Sequence, residues 1–287
     1  MSKTANALGH YLRARRELID PAQAGLAVVG VRRTPGLRRE EVATLAGISA
    51  DYYLRLEQGR DRNPSPQVLE ALARVLRLDA AATEHLLSLA AARPTPARRV
   101  RRETVAAGIR QLLDVINLPA FVESRTFEVL AANRLATAVS PNIRPGANRL
   151  RAIFLDPGEQ ELYPDWEQTA RNLVAGFRAS VGSDVEDQRI VQLVGELSLA
   201  SEQFRRLWAR HDVTALAGGA MRLNHPVVGM LELRREKLPL ADSGGQILAI
   251  YHAERGSEAA RRLERLERLD RLGAEASTAQ ETARQTA

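Results

Sequence analysis

The stretch LRREEVATLAGISADYYLRLEQGRDRNP, residues 37 to 64, places a short helix, a tight turn and a second helix in immediate succession. Leu37, Val42 and Leu45 recur at helical spacing and supply an apolar face. Gly47 stands where the chain must reverse, a position for a residue that tolerates positive φ. Ile48 plugs the turn, and Ser49 offers its hydroxyl to a free backbone N–H in the first turn of the next helix. With Tyr53 and Leu56 facing inward, Ala50, Asp51, Leu54 and Arg55 point outward and Tyr52 lies at the edge. A helix with that outer face can lie in a DNA major groove. Gly59 ends it, and Arg60 and Arg62 follow.

The distribution of charge supports this placement. Residues 1 to 102 hold 18 Arg and Lys against 10 Asp and Glu, a net +8, whereas residues 103 to 287 hold 23 against 25, a net −2. The basic excess belongs wholly to the part that carries the two-helix motif, as a polyanion-binding module requires. The chain contains no cysteine, so disulfides and thiolate metal sites are excluded. No apolar run reaches the length of a membrane span and the N-terminus does not have the pattern of a signal peptide, so a cytoplasmic, nucleoid-associated protein is expected.

In chain order, residues 6 to 19 form an amphipathic helix with Leu8, Tyr11, Leu12 and Leu18 on one side and Arg13, Arg15 and Arg16 on the other. Residues 20 to 36 form a loop rich in Gly and Pro. Ser65-Pro66 starts a further helix and another runs from about 80 to 92, which completes a helical domain over 1 to 92. The Pro- and Arg-rich stretch 93 to 103 is a linker. A second domain, 104 to 255, opens with a helix and a β-hairpin around ESR (123 to 125), after which Asn133 caps a short helix. LRAIFLDPGEQELYPDW reads as a loop with a little helix. Three helices, near 165 to 181, 185 to 199 and 201 to 210, precede strands at 218 to 225, 227 to 238 and 245 to 254. The expectation is an all-α domain followed by an α+β, PAS-like domain with a five-stranded antiparallel sheet. Leu263, Leu266, Leu269 and Leu272 repeat along a C-terminal helix as a weak dimer seam or a solvated surface, and 273 to 287 reads as a disordered tail.

Two strings, RRTPGLRREEVATLAG (32 to 47) and SADYYLRLEQGRDRNPS (49 to 65), with the turn Leu56-Glu57-Gln58-Gly59, resemble the repressor-type helix-turn-helix of the XRE family, and within it the MmyB-like regulators. The resemblance places base-reading positions on Ala50, Asp51 and Arg55. Arg55 has the strongest chemistry, because a planar guanidinium can donate twice to guanine O6 and N7. Asp51 can accept from a cytosine amino group or merely favour the helix dipole. Phosphate-binding positions carried over from the family fall on Arg39 and Gln58. Charge and placement add Arg32, Arg38, Arg60 and Arg62, and its hydroxyl adds Tyr52. One recognition helix covers few base pairs, so a homodimer on double-stranded DNA is expected.

The resemblance continues through AFVESRTFEVLAANRLA, FLDP with LYPDW, VGELS with FRRLWARHDV, and NHPVVGMLELRREKL, which together look like the MmyB-like ligand-binding region. It implies an apolar pocket and a small-molecule effector, a fatty acid or similar amphipathic molecule. An acyl carboxylate needs a cationic end to its pocket. Arg171 is the candidate, supported by Asn133, Trp166, His211 and His225; the competing reading pairs Arg171 with Asp165 or Glu167 and puts Trp166 and Trp208 in the core. No HExxH, GxSxG or phosphate loop is present, so neither an enzyme nor a metal or cofactor is expected. The alternative is a DNA-binding adaptor whose C-terminal domain holds a protein partner.

Overall fold

The computed structural model describes residues 6–26, 32, 36–61, 63–91, 103–182, 187–215 and 218–285. The chain divides into two compact units, Met1–Val100 with Arg171–Ala215, and Arg101–Ala170 with Leu216–Ala287.

In the first unit, α1 (Ala7–Leu18), α2 (Arg39–Ala46), α3 (Ala50–Glu57), α4 (Pro66–Val75) and α5 (Ala80–Ala91) follow in order. Local chemistry sets their ends. Asn6 Oδ1 accepts from Gly9 N–H at 3.1 Å, Ser49 Oγ from Tyr52 N–H at 3.1 Å and Ser65 Oγ from Val68 N–H at 3.4 Å. Gly47 turns the chain between α2 and α3 at φ +69°, a conformation that costs any other L-residue about 1–2 kcal/mol. Tyr11, Leu12, Leu37, Val42, Tyr53, Leu56, Leu72, Leu76 and Leu86 are fully buried. Leu45, expected on the same face as Val42, is 42% exposed; α2 packs instead through Val42, Ala43 and Ala46.

Arg171 lies within α10 (Trp166–Val181), which is followed by α11 (Gln188–Ala200) and α12 (Glu202–Ala209). The sequence predicts one domain over 104 to 255, but Arg171–Ala215 groups with α1–α5. Val213 enters the same apolar cluster as Leu12 and Leu86. Arg15 Nη1 donates to Asp212 Oδ1 at 2.7 Å. Such contacts join residues about two hundred positions apart, which no local pattern encodes.

The second unit contains α6 (Ala107–Val115), β1 (Ala120–Glu123), β2 (Val129–Ala132), α7 (Arg134–Val139), α8 (Arg149–Leu155), α9 (Pro157–Leu162), β3 (Gly219–His225), β4 (Gly229–Pro239), β5 (Ile247–His252) and α13 (Glu258–Gln285). Its sheet has the order β2-β1-β5-β4-β3, with every neighbouring pair antiparallel. Phe121 lies opposite Ala249 and Leu223 opposite Leu231. β5 is central, and all four residues of β1 beside it are buried. This is the expected five-stranded α+β domain.

Two expectations need correction. The stretch 150 to 166, expected as a loop with a little helix, is mostly two helices, because Asn148 Oδ1 accepts from Leu150 and Arg151 N–H, and Asp156-Pro157 both stops α8 and starts α9. The stretch expected as a disordered tail continues α13 to Gln285. Ala, Glu, Gln and Arg have high helix propensity, and extending a formed helix needs no new nucleus. Of the four leucines along α13, Leu263 and Leu266 are buried, whereas Leu269 and Leu272 are 40% and 61% exposed. The three-residue spacing has drifted off the packed face.

Candidate nucleic-acid interface

The first five helices position an exposed face on α3. Ala50, Asp51 and Arg55 are exposed along it, while Tyr53, Leu56 and Glu57 are buried on the opposite side. Asp51 and Arg55 form an ion pair one turn apart. Arg55 also stacks over the half-buried Tyr52 ring at 5.7 Å from the centroid, so the guanidinium is held near the helix before any nucleic acid arrives.

Beneath that face lies an ion cluster that the sequence does not predict. Glu57, the last residue of α3, accepts from Arg16 Nε at 2.7 Å on one oxygen and from Arg39 Nε at 2.6 Å on the other. Arg16 Nη1 donates to the Leu37 carbonyl at 2.7 Å, and Asn6 Nδ2 to the Glu57 carbonyl at 2.7 Å. Arg16 was expected on the solvent side of α1, yet it is 5% exposed. The signal was available, since Leu8, Leu12 and Arg16 recur at i+4 and share one helix face. A Cβ on Gly9 would come within 2.3 Å of the Glu57 carbonyl oxygen, so α1 can meet the end of α3 only with glycine there.

The cluster fixes one phosphate candidate. Arg39 is anchored through Nε, its side chain is 46% exposed, and it stands beside Gln58 at the foot of α3. Arg38, Gln58 and Arg60 are exposed. Arg38 N–H donates to Glu41 Oε2 at 2.6 Å, which seats its side chain at the positive N-terminus of α2. Arg32 is committed differently. Its Nη2 donates to Glu41 Oε2 at 2.6 Å and to the Gly36 carbonyl at 3.2 Å, bracing the loop against α2. That bond holds the Glu41 carboxyl below its ordinary pKa. Arg62 lies outside the described residues.

The five ligand candidates divide between the units. In the second unit, Asn133 is spent on backbone: its Oδ1 accepts from Ala136 and Ala120 N–H, and its Nδ2 donates to the Ile116 and Leu118 carbonyls. His225 is buried; its Nδ1 accepts from Val227 and Val228 N–H, so Nε2 carries the proton and donates to the Ala138 carbonyl at 2.9 Å. Trp166 Nε1 donates to the Ile153 carbonyl at 2.8 Å. In the first unit, His211 lies 3.1 Å from Arg178 Nη1 and meets the Tyr11 ring edge-on. Arg171 lines an open cleft with Arg15, Arg77 and Asp212. Asp165, offered as its surface partner, pairs with Arg222.

The second unit also encloses charge. Lys237 Nζ donates to Glu123 Oε1 at 2.6 Å, and Arg149 Nη1 approaches Glu123 Oε2 at 3.5 Å. Glu123 is fully buried. Burial alone would raise its pKa, but Lys237 and Arg149 outweigh burial and hold it below the usual carboxylate range. Lys237 stacks over Phe127 at 5.1 Å and Arg149 over Phe121 at 5.2 Å. The parity of β4 carried the signal, since Leu231, Leu233, Arg235 and Lys237 alternate onto one side of the sheet.

An exposed helix-turn-helix flanked by arginines, followed in the chain by a separate five-stranded sheet domain, defines a two-part regulator: a DNA-binding head and a ligand-binding domain. Residues 7–86 match a helix-turn-helix domain family. Residues 105–266 match the MmyB-like transcription regulator ligand binding domain, and the chain belongs to that family. It is a DNA-binding transcription regulator with a ligand-binding domain, and neither family is one of enzymes. No curated protein matches the chain. Among the described residues, no helix is long and apolar enough to cross a membrane.

Proposed function

We propose that the protein is a sequence-specific regulator that binds DNA as a homodimer and changes its DNA affinity when a small molecule occupies the sheet domain. The observation that carries the DNA reading is the exposed Asp51–Arg55 face above Arg38, Arg39 and Gln58. Base edges meet α3, and phosphates meet the foot of α2 and α3, together with Arg60, Arg62 and Tyr52. A two-fold dimer then reads half-sites about 10 base pairs apart on a pseudopalindrome. The effector is a fatty acid or similar amphipathic molecule; the family match supports a ligand-binding domain, and the class of effector rests on the resemblance. The protein works in the cytoplasm, on the nucleoid.

Genome-wide footprinting tests the first part. A shared palindromic motif under the bound sites is expected, and binding without sequence preference would refute the reading. Native mass spectrometry of the purified protein tests the second. A dimer carrying co-purified acyl chains is expected; a monomer contradicts the homodimer, and failure to take up added fatty acid contradicts the effector class.

A further inference from the structure

The first unit holds an open cleft of about 250 Å³, lined by Arg171, which the sequence offers to an acyl carboxylate, and by residues that neither the DNA-binding nor the acyl-binding reading uses. Its walls come from α1 through Arg15, from the α4–α5 turn through Arg77 and Asp79, and from the stretch Arg171–Ala215 through Arg171, Asp212 and Thr214. We propose that this cleft binds a small organic anion, one bearing carboxylate or phosphoryl groups, between Arg77 and Arg171.

Three observations converge on that assignment. The first is charge. Three guanidiniums line the cleft against two carboxylates, and both carboxylates are engaged. Asp79 Oδ1 accepts from Ala82 N–H at 2.8 Å, at the start of α5. Asp212 accepts from Arg15 Nη1 on one oxygen and from Arg210 Nε on the other, both at 2.7 Å. Arg77 donates to the Gln23 carbonyl at 3.3 Å, and no carboxylate among the described residues pairs with it. The second is an unmet donor, since Arg15 Nε is buried and has no hydrogen-bond partner among the described residues. Such a group is costly unless something satisfies it.

The third observation is backbone strain. Arg77 follows the end of α4 at φ +50°, in the left-handed region where helices commonly place glycine. A side chain kept at such a position points to a use for the side chain, and here Arg77 lines the cleft. The size of the cleft sets the ligand class. At about 250 Å³ it is smaller than the usual drug-sized pocket. Oxygen-rich anions match a fork of arginines, which donate in pairs to carboxylate or phosphate.

Because the walls join the DNA-binding helices to part of the ligand-binding match, an occupant stabilises this packing, and the melting midpoint reports it. The full-length protein is melted in citrate or inorganic phosphate, with potassium chloride at matched ionic strength as reference. Citrate and phosphate also stabilise proteins by exclusion from their surfaces, an effect that does not saturate. The site predicts a saturable component, a rise of about 3–6 °C at tenfold the dissociation constant. Response to phosphate alone assigns a phosphoryl ligand, and response to citrate alone a polycarboxylate. Arg77→Gly should abolish the saturable rise while melting at or above the wild type in chloride, because glycine accepts the positive φ. Arg171→Gln should reduce the rise without unfolding the protein. No saturable rise with either anion, or an equal rise in R77G, overturns the proposal. The acyl-binding reading is unaffected by either result, since its test is lipid mass spectrometry.

Discussion

Replacing Arg55 by alanine and, separately, Asp51 by alanine sets two energies against each other. In the unbound protein the pair is exposed, with side chains 46% and 71% accessible. At that exposure water screens the attraction, and an i,i+4 pair contributes about 0.3–0.5 kcal/mol. A bidentate contact to guanine is worth about 1–3 kcal/mol of discrimination. The base contact therefore wins, and Arg55 turns from Asp51 to the groove at little cost. R55A should weaken binding to the footprinted operator by about 5- to 150-fold, with almost no change on scrambled duplex. D51A should change operator affinity by about twofold or less if Asp51 only pairs with Arg55. Fluorescence anisotropy on both duplexes, at two or more salt concentrations, measures all four affinities, and the double variant closes the cycle. An equal loss on operator and scrambled DNA in R55A would refute the base-reading role. A tenfold operator loss in D51A would show that Asp51 itself contacts a base or orients Arg55.

Three further outcomes follow from the buried groups. Glu57→Gln removes the charge that holds Arg16 and Arg39, and breaking a buried pair costs about 3–5 kcal/mol; urea unfolding should register that loss, and a change below about 1 kcal/mol would dismiss the cluster as a structural anchor. Burial lowers the pKa of His85 to about 4 and of His211 to about 3, and Arg178 pushes both the same way, with His10 and Arg15 adding to the effect on His211. The native state therefore stays neutral while unfolded histidines take up protons below 6.5, so stability present above that pH falls from about 6.5 to 4 for His85 and to 3 for His211, by about 1.4 kcal/mol per pH unit for each; a urea midpoint equal at pH 7 and pH 5 contradicts this. The Tyr251 hydroxyl is buried without a hydrogen-bond partner among the described residues, so Tyr251→Phe should leave stability unchanged or raise it, and a loss above about 1 kcal/mol would show that the hydroxyl is bonded.

The parts of this protein that were legible in the sequence are those whose causes are local. Ser49, Gly47 and Ser65-Pro66 mark helix ends through bonds that span three or four residues, so the helix-turn-helix and its outward face follow from a short window. The strands of the sheet were legible for the same reason, since alternation and turns are short-range. Composition misled at the C-terminus, where Ala, Gln and Glu suit a tail and a helix equally well, and a helix already formed by Leu263 and Leu266 carries on.

What escaped is of another kind. Arg16, Glu57, Lys237 and Glu123 are charges that repay burial only because a partner arrives from a distant segment, Arg16 from 41 residues away and Lys237 from 114. Each nonetheless left a mark, because Arg16 continues the register of Leu8 and Leu12, and Lys237 the parity of Leu231 and Leu233. A charge that keeps step with an apolar face has two physical outcomes: it breaks the element, or it finds an opposite charge inside. Here both elements are intact, so the second outcome holds in each. The ligand candidates show a different demand. Asn133 and His225 carry polar chemistry, and in the fold their side chains bond backbone N–H and C=O groups. Arg77 meets no such demand beyond one long bond to Gln23, and it stands on backbone that resists any residue but glycine. A polar group fully satisfied by backbone has no donor left for a ligand, whereas a strained arginine with one long bond keeps most of its guanidinium donors for one.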